Sequence, residues 1–245
     1  MFQIDSVGRI ARISIARPEA RNAIPIARWQ DLASAIAEVG RSDARALILR
    51  SAVTGIFCAG ADISDLAALR DDPAFRRHFR MVMGQAIEAL AALPIATIAA
   101  IDGGCFGAGV ALAIACDLRV AGEGARFGIT PAKLGISYPA TDVARLKLLI
   151  GPGQAARLLY SAATIDAAEA KTIGLVEQHA AHAEQAAQAL AETIAGNAPS
   201  SIRSLKRTLA GDPAADDLFE DAFGGCDFAE GLAAFGERRS PEFVV

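Results

Sequence analysis

The stretch of residues 95–117 (IATIAAIDGGCFGAGVALAIACD) limits the fold more than any other part of the chain. Residues 95–101 have the β-branched and small apolar composition of a buried strand, which Asp102-Gly103-Gly104 interrupts. The second apolar run, residues 110–116, is typical of a buried helix. A strand, a glycine-rich turn and a helix in this order leave the first N–H groups of the helix unpaired at the turn, where they suit an anion. For the glycines alone, a tight turn between two buried elements is the simpler interpretation.

The segments around this stretch alternate between strand and helix patterns. Before it, the sequence predicts strands over residues 9–16 and 46–51, helices over residues 26–37 and 75–93, and a loop over residues 52–63. After it come a short strand over residues 118–121 and a helix beginning near Asp142, for which Thr141 or Asp142 is the predicted N-cap. Mostly helical patterns follow, and we expect no strand beyond about Val176. The alternation predicts an α/β fold with crossover connections.

Length and composition favour one domain with a modest appendage. The chain has 245 residues, of which 53% are hydrophobic and 21% charged, and this is enough to bury a full core. We expect an α/β core over residues 1–190. Residues 191–245 are then a C-terminal helical region that packs on another subunit.

Several classes of protein do not fit the sequence. The apolar runs are far shorter than the roughly 20 residues that span a bilayer, and the N-terminus MFQIDSVGRI lacks a basic-then-apolar secretion pattern. We therefore expect a cytoplasmic protein that does not bind membranes. A net charge of −4 without long basic runs argues against nucleic acid as a partner. The cysteines form no C-x-x-C pair and have apolar neighbours, so we expect reduced core cysteines and predict neither a disulfide framework nor a metal site. They are Cys58, Cys105, Cys116 and Cys226.

Five stretches, in order along nearly the whole chain, resemble the crotonase family, also called the enoyl-CoA hydratase/isomerase family. They are RPEARNAI at 17–24, FCAGADISDL at 57–66, AAIDGGCFGAGVALAIACDLRVAGEGARFGITPAKLG at 99–135, SAATIDAAEAKTIGLV at 161–176 and FGERRSPEF at 235–243. The resemblance implies a spiral core of repeated ββα turns and a C-terminal helical region used to assemble a homotrimer or a dimer of trimers. It also implies an acyl-CoA thioester as the substrate, so that coenzyme A is part of the substrate and no other cofactor is needed.

The resemblance also implies which residues hold this substrate. Family reactions pass through an enolate-like thioester, whose oxygen is stabilised by two backbone N–H groups; the matching positions are Ala61 and Ala108, the latter following Gly107. Each donor of this kind is typically worth about 2.7–4 kcal/mol in the transition state. The coenzyme A side is assigned to Arg21 as a phosphate contact, to Ala59, and to Asp62 and Ile63 near the adenine. Without the resemblance, Arg21 is interpreted as a solvated loop charge.

The chain departs from the pattern of a hydratase at two positions. Hydratases of the family carry one glutamate early in the helix after the glycine turn and a second after the Phe-Gly pair. Here these positions hold Ala111 and Pro131, neither of which can transfer a proton. General acid–base catalysis typically contributes 10²–10⁴-fold, so ordinary hydration should be crippled unless other residues replace the glutamates.

The segment FGITPAKLGISY, residues 127–138, resembles the methylmalonyl-CoA decarboxylases of the same family. The matching residues are Thr130, Pro131, Leu134, Gly135 and Tyr138. The resemblance is partial, because those decarboxylases carry histidine at the position of Ala61. It implies that Tyr138 and Thr130 face the acyl group as neutral hydrogen-bonding groups. The alternative for Tyr138 is a core tyrosine with its hydroxyl bonded to the backbone.

Other polar residues fit structural roles better. Asp142 could act as a base, but its place before a helical pattern favours the N-cap. The three histidines, His78, His179 and His182, are expected at the surface, and Cys58 and Cys105 are not expected to be catalytic thiols.

Two functional classes remain. The first is an acyl-CoA lyase or isomerase that stabilises a thioester enolate, with decarboxylase-like or other non-hydratase chemistry preferred over hydration by unrecognised acid and base residues. The second is an acyl-CoA-binding homologue without fast chemistry. We expect the helix over residues 75–93 and the C-terminal region to shape the acyl pocket, and the sequence does not specify the acyl group.

Overall fold

The computed structural model of the protein describes residues 1–244. Its strands form two sheets: a six-stranded sheet in the order β1-β2-β3-β5-β7-β10 and a four-stranded sheet in the order β4-β6-β8-β9. The strands are β1 Phe2–Val7, β2 Ile10–Ile15, β3 Ala46–Ser51, β4 Ile56–Cys58, β5 Ala96–Ile101, β6 Gly104–Phe106, β7 Leu118–Gly122, β8 Arg126–Gly128, β9 Thr164–Asp166 and β10 Gln178–Ala180.

Helices connect the strands and make up the C-terminal part of the chain. They are α1 Trp29–Gly40, α2 Ile63–Leu69, α3 Pro73–Ala91, α4 Ala108–Ala115, α5 Ala140–Ser161, α6 Ala167–Thr172, α7 Ala183–Ala195, α8 Pro199–Leu209, α9 Ala215–Ala222 and α10 Cys226–Glu237. Short 3₁₀ turns lie at Pro18–Ala20, Ile26–Arg28 and Pro131–Leu134.

Successive turns of the chain each add one strand to each sheet and then a helix. The order β3-β4-α2-α3 is followed by β5-β6-α4 and then by β7-β8-α5. Strands β3, β5 and β7 pair in parallel in the larger sheet, as β4, β6 and β8 do in the smaller one. The predicted α/β fold of repeated ββα turns is therefore confirmed.

The central strands are buried on both faces. In β3, Ala46 and Ile48 pack towards α7 and contact a cluster that includes Ala187, whereas Leu47 and Leu49 point into the main core on the other face. Because successive side chains of a strand alternate between faces, a strand covered on both sides has an almost continuous apolar sequence. This explains why residues 46–49 and 96–101 show no polar alternation.

The structure contains strands that the sequence pattern does not predict. Strand β1 precedes the first predicted strand, β4 lies inside the predicted loop over residues 52–63, and β6 forms directly after the turn at Gly103. Strand β10 follows Val176, so the expectation of no strand beyond that residue is wrong. Strands of three residues are too short to show a periodic pattern and depend on pairing with distant segments.

A lysine on α8 links the C-terminal helices to the core through two hydrogen bonds. The Lys206 Nζ on α8 donates to the Ile95 carbonyl oxygen at 2.9 Å and to Asp117 Oδ2 at 2.7 Å. Helix α7 crosses residue 190, and the division of the chain at that point stays a prediction. Among the helices within residues 1–244, none combines the length and apolar character needed to cross a membrane.

Large apolar side chains are exposed on the C-terminal helices. Phe223 makes edge-to-face contacts with Phe219 and Phe228, with ring centroids 5.3 Å apart in each pair. The exposed set on these helices is Leu205, Leu209, Phe219, Phe223, Phe228, Leu232 and Phe235. Exposed apolar side chains in such number on neighbouring helices are typical of a protein–protein contact.

Candidate active site

Most of the predicted site residues line one cavity of about 310 Å³. It lies between α2, α3, the start of α4 and the segment that runs from the end of β8 to α5. The predicted residues on its wall are Ala59, Ala61, Ile63, Gly107, Ala108, Thr130 and Tyr138. Arg21 and Asp62 do not line it. Helix α3 contributes Phe79, Arg80 and Met83, as expected for the helix predicted over residues 75–93.

Two backbone segments meet at the cavity and bring Ala61 and Ala108 to its wall. Gly60 has φ of 104°, and a Cβ there would lie 2.9 Å from the Phe106 carbonyl oxygen and 3.2 Å from the Ala108 nitrogen. Only glycine allows this close approach, because an L-residue rarely adopts such a φ and its side chain would enter the gap. The turn after β4 is thereby held against the start of α4.

The N–H groups of Ala61 and Ala108 have no acceptor within residues 1–244. Backbone hydrogen bonds use the neighbouring groups instead: Gly107 N–H donates to the Gly128 carbonyl oxygen at 2.9 Å, and Asp62 N–H donates to the Ile24 carbonyl oxygen at 3.0 Å. Ala108 is the first residue of α4, where an N–H has no partner inside the helix, and the helix dipole adds partial positive charge there. The cavity wall therefore carries two free backbone donors.

Tyr138 contacts the peptide group that joins Gly107 to Ala108. Its hydroxyl donates to the Gly107 carbonyl oxygen at 2.9 Å, and this carbonyl belongs to the peptide unit whose N–H is that of Ala108. Burial raises the pKa of Tyr138 well above its usual value, and the charge of Asp142 adds to the shift, so the phenol stays protonated. The hydroxyl is bonded to the backbone, as in the alternative interpretation from the sequence, while the side chain lines the cavity.

The segment before Tyr138 is built from a proline turn and a left-handed glycine. Thr130 precedes the 3₁₀ turn Pro131–Leu134, and Gly135 ends the turn with φ of 71°. The Thr130 hydroxyl makes no hydrogen bond in the part of the chain that the structure describes, so it is free to bond a ligand. This conformation places Thr130, Pro131 and Tyr138 on the same cavity wall.

No acidic side chain lines the cavity among the described residues. Ala111 is buried in the middle of α4 at 1% exposure, and Pro131 is on the cavity wall. Within residues 1–244, Arg80 is the one charged side chain on the wall. Ala111 and Pro131, which the family resemblance matches to the hydratase glutamates, therefore give this cavity no group that could hold or transfer a proton.

Asp142 is buried, and its prediction as a helix N-cap is wrong. Pro139 holds the N-cap position of α5, and Asp142 lies in the first turn with 3% exposure. Burial raises its pKa to about 6; Arg145, with a guanidinium nitrogen 3.5 Å from the carboxylate, opposes the shift and Glu88 adds to it. The carboxyl can hold a proton near neutral pH, but it does not line the cavity. Its spacing of four residues from Leu146, which is also buried, is the sequence signal for an inward-facing position.

Asp62 has a structural role that the sequence did not show. Its carboxylate caps α2 by accepting from Ser64 N–H at 3.0 Å and also accepts from Arg17 Nη1 at 2.5 Å. The hydrogen bonds from Ser64 and then from Arg17 lower its pKa, so the carboxylate is ionised. Arg21 has an exposed side chain, and its carbonyl oxygen accepts from Ala59 N–H at 3.1 Å. Contacts of either residue with coenzyme A stay a prediction.

The cysteines and histidines are not placed for chemistry at this site. Burial raises the pKa of the Cys58 thiol to about 12 and that of the Cys105 thiol well above its usual value, so both stay protonated. Cys226 is exposed at the start of α10, so its prediction as a core cysteine is wrong. The three histidines are exposed, as predicted. Within residues 1–244, no three His, Cys, Asp or Glu side chains lie close enough together to hold a metal ion.

The fold and this site together define a class of protein. Repeated ββα turns bring two glycine-containing turns together, and Ala61 and Ala108, whose N–H groups have no acceptor within residues 1–244, line a largely apolar cavity. This is an α/β protein of the crotonase type.

Comparison with known proteins identifies the family. The sequence model of the enoyl-CoA hydratase/isomerase family matches residues 6–244. The chain is 35% identical over 250 residues to the probable enoyl-CoA hydratase echA6 of Mycobacterium tuberculosis, covering 99% of each. It is 34% identical over 256 residues to enoyl-CoA hydratase domain-containing protein 2, mitochondrial, of Mus musculus, covering 96% of this chain and 84% of that protein. The crystal structure of an enoyl-CoA hydratase from Bacillus anthracis matches with a TM-score of 0.93 and 32% identity, covering 99% of this chain and 98% of that one. The chain belongs to the enoyl-CoA hydratase/isomerase family.

Proposed function

We propose that the protein is an acyl-CoA lyase or isomerase that stabilises a thioester enolate and catalyses a reaction other than hydration. The observation that carries the proposal is the pair of free N–H groups, Ala61 and Ala108, on a cavity that no acidic side chain of residues 1–244 lines. Two donors aimed at one oxygen stabilise the charge that develops during enolate formation more than the neutral thioester. The absence of acidic side chains from the described wall disfavours activation of water.

Decarboxylation is the reaction that best fits this arrangement. When the bond between the α-carbon and a β-carboxylate breaks, its electron pair moves into the thioester and forms the enolate, so no base is required. Carbon dioxide is released as this bond breaks, and the α-carbon of the enolate then takes up a proton from solvent water. A fixed carboxylate beside the substrate would repel the substrate's own carboxylate, whereas the neutral hydroxyl of Thr130 can hydrogen-bond to it.

Tyr138 supports the oxyanion site through the peptide it contacts. A hydrogen bond to the Gly107 carbonyl oxygen polarises the 107–108 peptide and fixes its orientation, which strengthens the Ala108 N–H as a donor. This assigns Tyr138 a positioning role, with its ring as part of the acyl wall.

The Tyr138→Phe variant should lower kcat at least tenfold, or about 1.4 kcal/mol of barrier, while KM changes less. The Gly107 carbonyl oxygen keeps the Ala111 N–H at 3.3 Å, so we expect the melting temperature to change little. Turnover of malonyl-, methylmalonyl- and enoyl-CoA esters is measured together with the melting curve. Tyr160→Phe is the matched control, because that tyrosine is 82% exposed on α5 and does not line the cavity. Equal activity in Tyr138→Phe and the wild type would remove the positioning role.

Exchange of the α-proton tests the proposed function itself. The wild-type protein is incubated with malonyl-CoA and with butyryl-CoA in deuterated buffer, and mass spectrometry follows loss of carbon dioxide and deuterium at the α-carbon. We expect one or both with at least one ester. Tight binding of both esters with no release of carbon dioxide and no exchange would instead support a binding protein without fast chemistry.

The assembly proposed with this function is a homotrimer or a dimer of trimers. The exposed apolar set on α8 to α10 is the surface that a second copy of the chain would cover. Light scattering at micromolar concentration should therefore give three or six times the 25.4 kDa of the chain. Replacing Phe219 and Phe235 with Glu should shift the mass towards the monomer; a monomeric wild type would contradict the proposal.

A further inference from the structure

Arg80 is a cation on an otherwise uncharged cavity wall. It lies in the middle of α3, next to Phe79 and three residues before Met83, and all three side chains line the cavity. Ile63, Leu66 and Leu134 make the surrounding wall apolar. A guanidinium at such a position attracts an anionic group of whatever occupies the cavity.

The guanidinium of Arg80 has no partner among the residues that the structure describes. Arg76 on the same helix donates to the Arg70 carbonyl oxygen at 3.4 Å, and Arg145 on α5 pairs with Glu88 at 2.7 Å. Arg77, like Arg80, has no side-chain partner among the described residues, but it does not line the cavity. All five donors of Arg80 are therefore available to a ligand. Arginine suits a carboxylate because its planar group can donate two parallel hydrogen bonds to it.

We infer that Arg80 selects acyl-CoA thioesters whose acyl group carries a carboxylate. This inference rests on the proposed function, which places the thioester oxygen between Ala61 and Ala108. From that point an acyl chain can run along the apolar wall of α3, and a carboxylate on the chain would meet Arg80.

Two anions could in principle reach this arginine: the acyl carboxylate and the phosphates of coenzyme A. The side chains beside Arg80 on the cavity wall, Phe79 and Met83, are apolar and suit hydrocarbon better than phosphate. Of the residues that the family resemblance assigns to the coenzyme A side, Arg21 and Asp62 lie outside the cavity, whereas Ala59 and Ile63 line it. The apolar neighbours Phe79 and Met83 are therefore the observation that separates the two anions. The acyl carboxylate is therefore the favoured anion.

Arg80 is exposed to solvent, and this limits the strength of an ion pair with a carboxylate of the substrate. Ion pairs in solvent are weak, whereas a tight buried pair would stabilise a leaving carboxylate and slow its loss as neutral carbon dioxide. A solvated arginine can attract the carboxylated substrate without holding the carboxylate so tightly that its loss is slowed. It thus contributes specificity for the substrate more than rate of the chemical step.

Equilibrium binding tests the inference without requiring turnover. The dissociation constants of malonyl-CoA and glutaryl-CoA are compared with those of butyryl-CoA and hexanoyl-CoA, neutral esters of similar length, by calorimetry on the wild type and on Arg80→Leu. We expect Arg80→Leu to weaken the carboxylated esters about fivefold and the neutral esters less than twofold. Arg80→Lys should retain part of the preference, because it keeps the charge and loses the fork geometry.

Arg77→Leu is the matched control, since Arg77 is an exposed arginine on the same helix that does not line the cavity. It should leave all four dissociation constants within twofold of the wild type. An equal loss for all four esters in Arg80→Leu would assign Arg80 to the phosphates of coenzyme A and overturn the inference, as would no loss at all. The preference for carboxylated esters is measured by binding, so it can hold even if the protein forms no enolate.

Discussion

The Ala108→Pro variant is expected to lose 10²–10³-fold in kcat, the typical effect of removing one oxyanion donor. Proline has no N–H, and it fits the first position of a helix, which Ala108 occupies in α4. The N–H that is lost has no acceptor in the described chain, so no protein hydrogen bond is broken. Turnover of the best ester found for the wild type is measured together with circular dichroism and the melting temperature.

A second variant tests the same oxyanion site without removing a donor. Gly60→Ala places a methyl group 2.9 Å from the Phe106 carbonyl oxygen and 3.2 Å from the Ala108 nitrogen, so it crowds the site of the thioester oxygen and pushes the two turns apart. Gly8→Ala is the control for backbone strain, because Gly8 has φ of 57° and no atom within 4 Å of the added methyl. A folded Ala108→Pro protein with the turnover of the wild type would show that the Ala108 N–H takes no part in the reaction.

Hydration of crotonyl-CoA should be slower by 10²–10⁴-fold for each missing acid or base than in family members that keep both glutamates. By the family resemblance Ala111 and Pro131 hold those positions, and among the residues that the structure describes no acidic side chain lines the cavity to replace them. The rate is measured by loss of absorbance of the conjugated enoyl thioester. Several relatives have names that include enoyl-CoA hydratase, so this rate is the most informative one to compare with theirs.

Asp142→Asn is the variant that completes the hydration test. Its carboxyl is the buried acid whose pKa, at about 6, would suit proton transfer near neutral pH. Since it does not line the cavity, we expect the variant to leave any residual hydration within twofold of the wild type. Rapid hydration by the wild type that Asp142→Asn abolishes would make the protein a hydratase with a relocated acid–base group.

The fold was predictable where one sequence signal was strong and local. The stretch of residues 95–117 forms β5, the turn, β6 and α4, because apolar runs on both sides of a glycine pair leave few alternatives. The resemblance then located Ala61 and Ala108, whose juxtaposition depends on Gly60 approaching the backbone of a turn more than 40 residues away. Neither composition nor periodicity of residues 52–63 could show this contact, and the same is true of the three-residue strand β4.

The remainder of the site depends on packing between helices. Residues 76–80 read RRHFR, and the sequence alone does not distinguish Arg80, which lines the cavity, from Arg77, which does not. The rotation of α3 about its axis decides this, and it is fixed by buried residues such as Val82 and Ile87. Asp142 is buried for a similar reason, since α5 turns that face towards the core. A capping preference is worth about 1 kcal/mol and is easily overridden by such packing.

The two ends of the six-stranded sheet affect how the protein behaves when it is concentrated. A flat, apolar edge strand is a template on which another molecule can extend the sheet, and this is a common route to aggregation. At one edge, β1 carries Asp5, whose carboxylate pairs with Arg12 and Arg50. At the other edge, β10 is only three residues long. A strand from another molecule therefore meets charged side chains at the β1 edge and only a short backbone edge at β10. Extension of the sheet from one molecule to the next is thus disfavoured.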